Sequence, residues 1–224
     1  MNKICLCLHG FTGGPFELEP LAEHLRALGW QCRIPELPGH GEQFERIGKV
    51  RWQDWIRAAD DNARSIAEQY GMFDLVGFSM GGMISAHIAS KYPVRRLVLL
   101  NAAAIYVSPG RFIRELGLAM KNRNWARFKK MKATPLRATL QFVQLVRYAR
   151  PLLRNIRIPT LVAQAGQDAV VHPISAKYVA SKIKGPVQVR YFPHSSHLIC
   201  LDCEADQLFR EVVRFLTAEA EEDC

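Results

Sequence analysis

Nowhere in its 224 residues does the chain carry an apolar run near the roughly 20 residues that a membrane-spanning helix needs. A helical membrane span is thereby excluded. The apolar run Ile4-Cys5-Leu6-Cys7-Leu8 is too short for a signal peptide, and no small-residue cleavage site follows it. The expectation is a cytoplasmic protein. Six cysteines (Cys5, Cys7, Cys32, Cys200, Cys203 and Cys224) lack the dense, regular spacing of a disulfide framework. Cys200-x-x-Cys203 has no second pair to complete a four-ligand set, so neither a metal site nor a structural disulfide is expected. Internal repeats and low-complexity tracts are absent as well. With 49% hydrophobic and 23% charged residues, the chain reads as one globular domain with a sizeable core.

Acid is scarce in one place. From Arg111 to Arg150 there are eleven Lys and Arg residues against the single carboxylate Glu115, while the overall charge is +9. An excess of this kind attracts an anionic lipid surface or an acidic carrier protein. A solvated helical face is the plain alternative. No nucleic-acid partner is expected, and the chain reads as a monomer or weak dimer.

Strand and helix alternate along the rest of the sequence, which predicts a mostly parallel, doubly wound α/β sheet. Expected strands are Ile4–Leu8, Trp30–Ile34, Met72–Gly77, Arg96–Asn101, Thr160–Gln164 and Val187–Phe192, with Pro35 to Gly48 as loop. Ile4–Leu8 and Leu97-Val98-Leu99-Leu100 are apolar without alternation, the pattern of strands covered on both faces. Between about 104 and 150 the pattern becomes amphipathic helix without strands. The division expected is a core of residues 1–103 and 151–224, with 104–150 as a helical cap. Such an insert would lie over the C-terminal sheet edge, where open α/β sheets bind ligands.

Gly77-Phe78-Ser79-Met80-Gly81 is a G-x-S-x-G sequence between a predicted buried strand and a predicted helix. That context turns a loose motif into a nucleophile candidate, because the sharp turn excludes a Cβ at either glycine and lifts Ser79 above the sheet. A serine hydroxyl is a weak nucleophile and needs a base, itself oriented by an acid. An elbow of this kind takes its partners in chain order serine, acid, histidine. Asp168 follows the strand Thr160–Gln164, and His197 follows Val187–Phe192, both at the same sheet edge. Asp74 precedes a strand and Asp202 opens the last helix, so both are weaker acids for the role. Among the rival bases, His172 and His194, the latter leaves its strand too early. The Gly-rich loop His9-Gly10-Phe11-Thr12-Gly13-Gly14 can aim the Phe11 amide above Ser79. With the Met80 amide it would form an oxyanion hole, leaving His9 as a structural hydrogen-bonder beneath the loop.

Over nearly its whole length the chain resembles the carboxylesterase and monoacylglycerol lipase branch of the α/β-hydrolases of bacilli. The resemblance rests on Leu8-His9-Gly10-Phe11-Thr12-Gly13, Pro38-Gly39-His40-Gly41, Gly77–Gly82, Gln164-Ala165-x-x-Asp168, and Ser195-x-His197 with Asp202-x-x-x-Asp206-Gln207-Leu208. It implies an α/β-hydrolase fold with a small cap inserted after the family's sixth strand. It also implies a Ser79–His197–Asp168 triad and an oxyanion hole from Phe11 and Met80. Ser196 departs from the glycine often found before the histidine, and the extra N-terminal strands of larger relatives are missing. The expected reaction is hydrolysis of short-to-medium acyl esters through an acyl-enzyme on Ser79, with no metal or organic cofactor. Phe11, Ile105, Tyr106, Leu116, Met120, Phe128, Phe142, Val170 and Ile199 are the expected pocket lining. Two other readings stand beside it: a thioesterase or esterase for acyl groups on an acidic carrier protein, and a non-catalytic receptor on the same scaffold.

Overall fold

The computed structural model describes residues 3–106 and 135–218. Six strands form one sheet: β1 (Ile4–Leu8), β2 (Gln31–Arg33), β3 (Phe73–Phe78), β4 (Val94–Leu100), β5 (Thr160–Ala165) and β6 (Val187–Phe192). Their order is β2-β1-β3-β4-β5-β6, and every neighbouring pair is parallel. The expected sheet is therefore present, with β3 and β4 beginning or ending within two residues of the predicted limits. β1 and β3 are buried throughout, as unbroken apolar runs in central parallel strands require. The edge strand β6 alternates exposed and half-buried positions.

Helices α1 (Glu19–Ala27) and α6 (Ala205–Thr217) touch each other on one face of the sheet. On the other face α2 (Trp52–Tyr70), α3 (Met80–Ala89) and α4 (Leu136–Leu152) pack together. Helix α5 (Ile174–Lys182) connects β5 to β6. From β1 the chain steps outward to β2, then returns to place β3 on the other side of β1. Strand order thus reverses between β1 and β3, and the crevice beyond their C-terminal ends is where such sheets hold ligands. Among the described residues no helix is long and apolar enough to cross a membrane.

Two expectations need adjustment. The segment Gly41–Lys49, expected as loop, forms 3₁₀ turns with a kink at Gln43, burying Phe44 and Ile47. In addition, α4 runs past residue 150 and belongs to the helical layer. Its Phe142, Leu145, Val146 and Ala149 are buried, the Trp52 amide donates to Gln141 Oε1 at 3.0 Å, and the Tyr148 ring lies 4.7 Å from that of Trp52. The remainder of the expected cap, including Leu116, Met120 and Phe128, lies outside the described residues.

The loop leaving β1 rests on two buried histidines. His9 Nδ1 donates to Gly10 O at 2.9 Å, while its Nε2 accepts from the Leu37 amide at 3.0 Å. His40 Nδ1 donates to Pro38 O at 3.1 Å, and the two rings meet edge to face at 5.1 Å. Burial pushes the His9 imidazole down to about 4. Burial, with the neighbouring His9, pushes His40 down to about 3. Both rings stay neutral in the fold, whereas the unfolded chain protonates them near pH 6.5. Below that pH the unfolded state binds more protons, so stability falls as pH drops from about 6.5 toward about 4, by up to about 1.4 kcal/mol per pH unit for each ring. Melting temperature measured across that range should decline in the wild type and decline less steeply in His40→Asn. Parallel curves for the two proteins would show that His40 is not a source of the acid sensitivity.

Candidate active site

Ser79 stands between β3 and α3 with φ 53° and ψ −111°, a strained backbone for a residue with a side chain. The strain is imposed by close packing on both sides. A Cβ on Gly81 would strike the carbonyl of Leu8 at the end of β1. A Cβ on Gly77 would strike the Ser85 hydroxyl and stand 2.6 Å from Gly81 O. Only glycine permits the helix to start this close to the sheet. The Ser79 amide donates to Leu100 O at 2.9 Å and its carbonyl accepts from the Ala103 amide at 3.1 Å, so β4 and its exit hold the turn from below.

The three residues expected to act together are brought together. Ser79 Oγ–H donates to His197 Nε2 at 3.1 Å, and His197 Nδ1–H donates to Asp168 Oδ2 at 2.7 Å. The second oxygen, Asp168 Oδ1, accepts from the amides of Val170 and Val171, each at 2.8 Å. This fixes the carboxylate plane, and the carboxylate in turn fixes the imidazole tautomer, with the proton on Nδ1 and the lone pair of Nε2 facing the serine. Exposure is 1% for Ser79, 6% for Asp168 and 2% for His197, so the chain of hydrogen bonds is shielded from bulk water. Phe78 lies against the imidazole at 5.0 Å between ring centroids.

The rivals sit elsewhere. Asp74 lies at the opposite end of β3 from Ser79, where it accepts from Trp30 Nε1 at 3.0 Å and pairs with Arg95 at 2.6 Å. His194 is exposed, and its amide is bound by Glu204 at 2.9 Å. His172 is exposed beside α5, accepting from the Ile174 amide. Cys200 is buried while Cys203 is exposed and donates to His194 O, so the two thiols of that pair occupy different surroundings.

Beyond β1, Gly10 donates its amide to the buried carboxylate of Glu17 at 2.8 Å, which holds the loop carrying Phe11. Met80 is the first residue of α3, a position whose amide has no acceptor within the helix. Of the expected lining, Phe11 stacks on Phe142 at 5.1 Å, and Tyr106 meets Phe142 at 5.2 Å. Tyr106 also bridges to Val171, next to the buried Val170. The Ile105 amide donates to Ser175 Oγ at 3.1 Å. Ile199 is fully buried in the 3₁₀ turn after His197, where its amide donates to His197 O.

Sequence reasoning missed the residues that position this constellation. Asn101 is buried with φ 45°, in the left-handed region that asparagine tolerates better than most residues. Its Nδ2 donates to His197 O at 2.8 Å and its Oδ1 accepts from the Ala165 amide at 2.7 Å. One side chain therefore ties the histidine loop to the strand that carries the acid. On the far side of the loop, Asp202 accepts from the Ser196 amide at 2.8 Å and from the Ser196 hydroxyl, while Glu204 accepts from Ser195 Oγ at 2.7 Å. Ser196, a departure from glycine, thus anchors the turn. The one signal available was Asn101 itself, a polar residue closing an apolar strand.

Asn101→Ala would leave the buried Ala165 amide without its partner, at a cost of about 1–3 kcal/mol, and would remove one of the two bonds that His197 O accepts, the other coming from the Ile199 amide. Denaturant unfolding should register that combined loss. A change below about 1 kcal/mol would show that these two bonds do not hold the loops together.

Residues 5–211 match the Alpha/beta hydrolase family. A carboxylesterase of Bacillus subtilis (strain 168) is 26% identical over 96% of this chain and 92% of its own length. A thermostable monoacylglycerol lipase of Bacillus sp. (strain H-257) is 27% identical, covering 96% and 90%. A pimeloyl-[acyl-carrier protein] methyl ester esterase of Neisseria meningitidis is 24% identical, covering 83% and 82%. A solved structure reported with two metagenome-derived lipolytic enzymes superposes with a TM-score of 0.81 at 23% identity, covering 96% of this chain and 94% of the other. The match of the family along nearly the whole sequence, together with the parallel sheet and the turn after β3, makes this chain a member of the alpha/beta hydrolase family.

Proposed function

We propose that the protein is a serine carboxylic-ester hydrolase acting on short-to-medium acyl esters through an acyl-enzyme on Ser79. The observation that carries this reading is the buried hydrogen-bonded series from Ser79 Oγ through His197 to Asp168. The bacillar carboxylesterase and lipase relatives support the choice of ester bonds. In the proposed reaction His197 Nε2 takes the Ser79 proton as the hydroxyl oxygen attacks the ester carbonyl. Asp168 stabilises the imidazolium that forms. The backbone amides of Phe11 and Met80 receive the oxyanion, and two fixed dipoles in a dry site are worth about 10²–10³ in rate each. Collapse of the intermediate returns the proton to the departing alcohol. Water then attacks the acyl-enzyme by the same route, and the carboxylic acid leaves. No step calls on a metal or cofactor. The Phe11, Tyr106 and Phe142 rings serve as the apolar wall for the acyl group.

A second reading is favoured by the charge of the 111–150 stretch and by the Neisseria relative. In it the same chemistry is applied to acyl groups presented by an acidic carrier protein or anionic surface.

Steady-state hydrolysis of a chromogenic ester tests the mechanism. Ser79→Ala and His197→Ala should each lose about 10⁶ in kcat, because members of such a unit fail together. Asp168→Asn should lose about 10⁴. Activity retained in Ser79→Ala would overturn the reading. For the second reading, kcat/KM on a neutral ester should be nearly indifferent to salt, while on carrier-borne acyl groups it should fall steeply. Equal salt dependence on both substrates would leave the neutral-ester reading alone.

A further inference from the structure

The shortage of acid does not stop at residue 150. Across residues 116–201 the sequence has fifteen Lys and Arg and a single carboxylate, Asp168, which is buried against His197. Among the described residues, part of this excess is gathered round one recess. The end of α4, the turn Leu153–Asn155 and helix α5 border an open surface recess of about 350 Å³ lined by Arg147, Arg150, Pro151, Arg154, Tyr178 and Lys182. Arg147 and Arg150 are three apart on α4, which puts them on one side of that helix, and Arg154 follows in the 3₁₀ turn. Tyr178 and Lys182 are four apart on α5 and face them.

Local chemistry concentrates the charge. Arg150 Cζ lies 5.6 Å and Lys182 Nζ 5.3 Å from the centre of the Tyr178 ring, so one aromatic ring orders two cations. Arg150 is further fixed by donating Nε to Ala104 O at 2.7 Å, with a second bond from the same guanidinium. None of the four cations has a carboxylate within ion-pair distance among the described residues, whereas Arg57, Arg64 and Arg95 each have one. Like charges held this close without a counter-charge repel, and a bound anion relieves the repulsion. A single carboxylate would balance one arginine. A phosphate group presents three oxygens and up to two charges, and the planar guanidinium fork matches its geometry.

We propose that this recess is a binding site for the phosphate group of a phosphate ester, separate from the Ser79 centre. The volume holds a phosphate together with a small organic portion. Its wall includes Arg150, which is bonded to Ala104, one residue from the amide that bonds Ser79 O. The site depends on no property of Ser79 chemistry.

Calorimetric titration of the intact protein with glycerol phosphate and with inorganic phosphate tests it, with acetate at matched ionic strength as control. Sedimentation with phosphatidylcholine vesicles, with and without phosphatidic acid, separates a lipid headgroup from a soluble ester. The expected result is a Kd near or below about 1 mM for glycerol phosphate. Arg154→Ala/Lys182→Ala should weaken it by at least about 10-fold. Arg57→Ala/Arg64→Ala, which removes arginines already paired with carboxylates, should not. Binding only to phosphatidic-acid vesicles, lost in the Arg154/Lys182 variant, would assign the same site to a headgroup. Acetate binding as tightly as phosphate, equal losses in both double variants, or no binding in either arm would overturn the proposal. Both altered side chains in the test variant are partly solvent-exposed, and circular dichroism checks that the fold is retained.

Discussion

The contact between Gly81 and the carbonyl of Leu8 is the constraint on which the site rests. It lets α3 begin directly against the end of β1, which bends the chain so sharply that Ser79 takes a positive φ. Once bent, the turn leaves the serine hydroxyl above the sheet, beside the crevice where strand order reverses between β1 and β3. The same closeness brings the β1 exit loop and the first amide of α3 to one place. Every other element of the site arrives by the parallel geometry of the sheet, because β3, β5 and β6 deliver Ser79, Asp168 and His197 from strand ends that all point the same way.

That geometry also explains which parts were legible in the sequence. The unbroken apolar run Ile4–Leu8 and the segment Val187–Phe192, with Gln188 and Arg190 between its apolar positions, are both found as strands with the expected limits. Trp30–Ile34 shortened to Gln31–Arg33 because an edge strand pairs on one side only. The region from Pro35 to Gly48 read as loop from its Pro and Gly content, yet Phe44 and Ile47 pull it into 3₁₀ turns by finding the core. Ser79, Asp168 and His197 were legible because each follows a strand at a motif or turn of recognisable form.

The supporting residues were not legible, for a physical reason. Asn101 meets Ala165 and His197 across 64 and 96 positions of chain, and Glu17 meets Gly10 through a loop with no periodic pattern. Such bonds are properties of the assembled edge. Likewise, the basic recess joins α4 to α5 across β5, so a count of charges along the insert alone could not find it. The buried neutral histidines belong here too: their titration is shifted by a burial that only the fold creates.

The central claim is that Ser79, and no other side chain, is the nucleophile of this site. Reaction with a fluorophosphonate, followed by mass-spectrometric mapping of the adduct, tests it without any assumption about substrate. The account predicts one adduct per chain, on the peptide containing Ser79, and none in the His197→Ala variant over the same time. An adduct on Ser195 or Ser196, or labelling of Ser79 that is indifferent to His197, would contradict it.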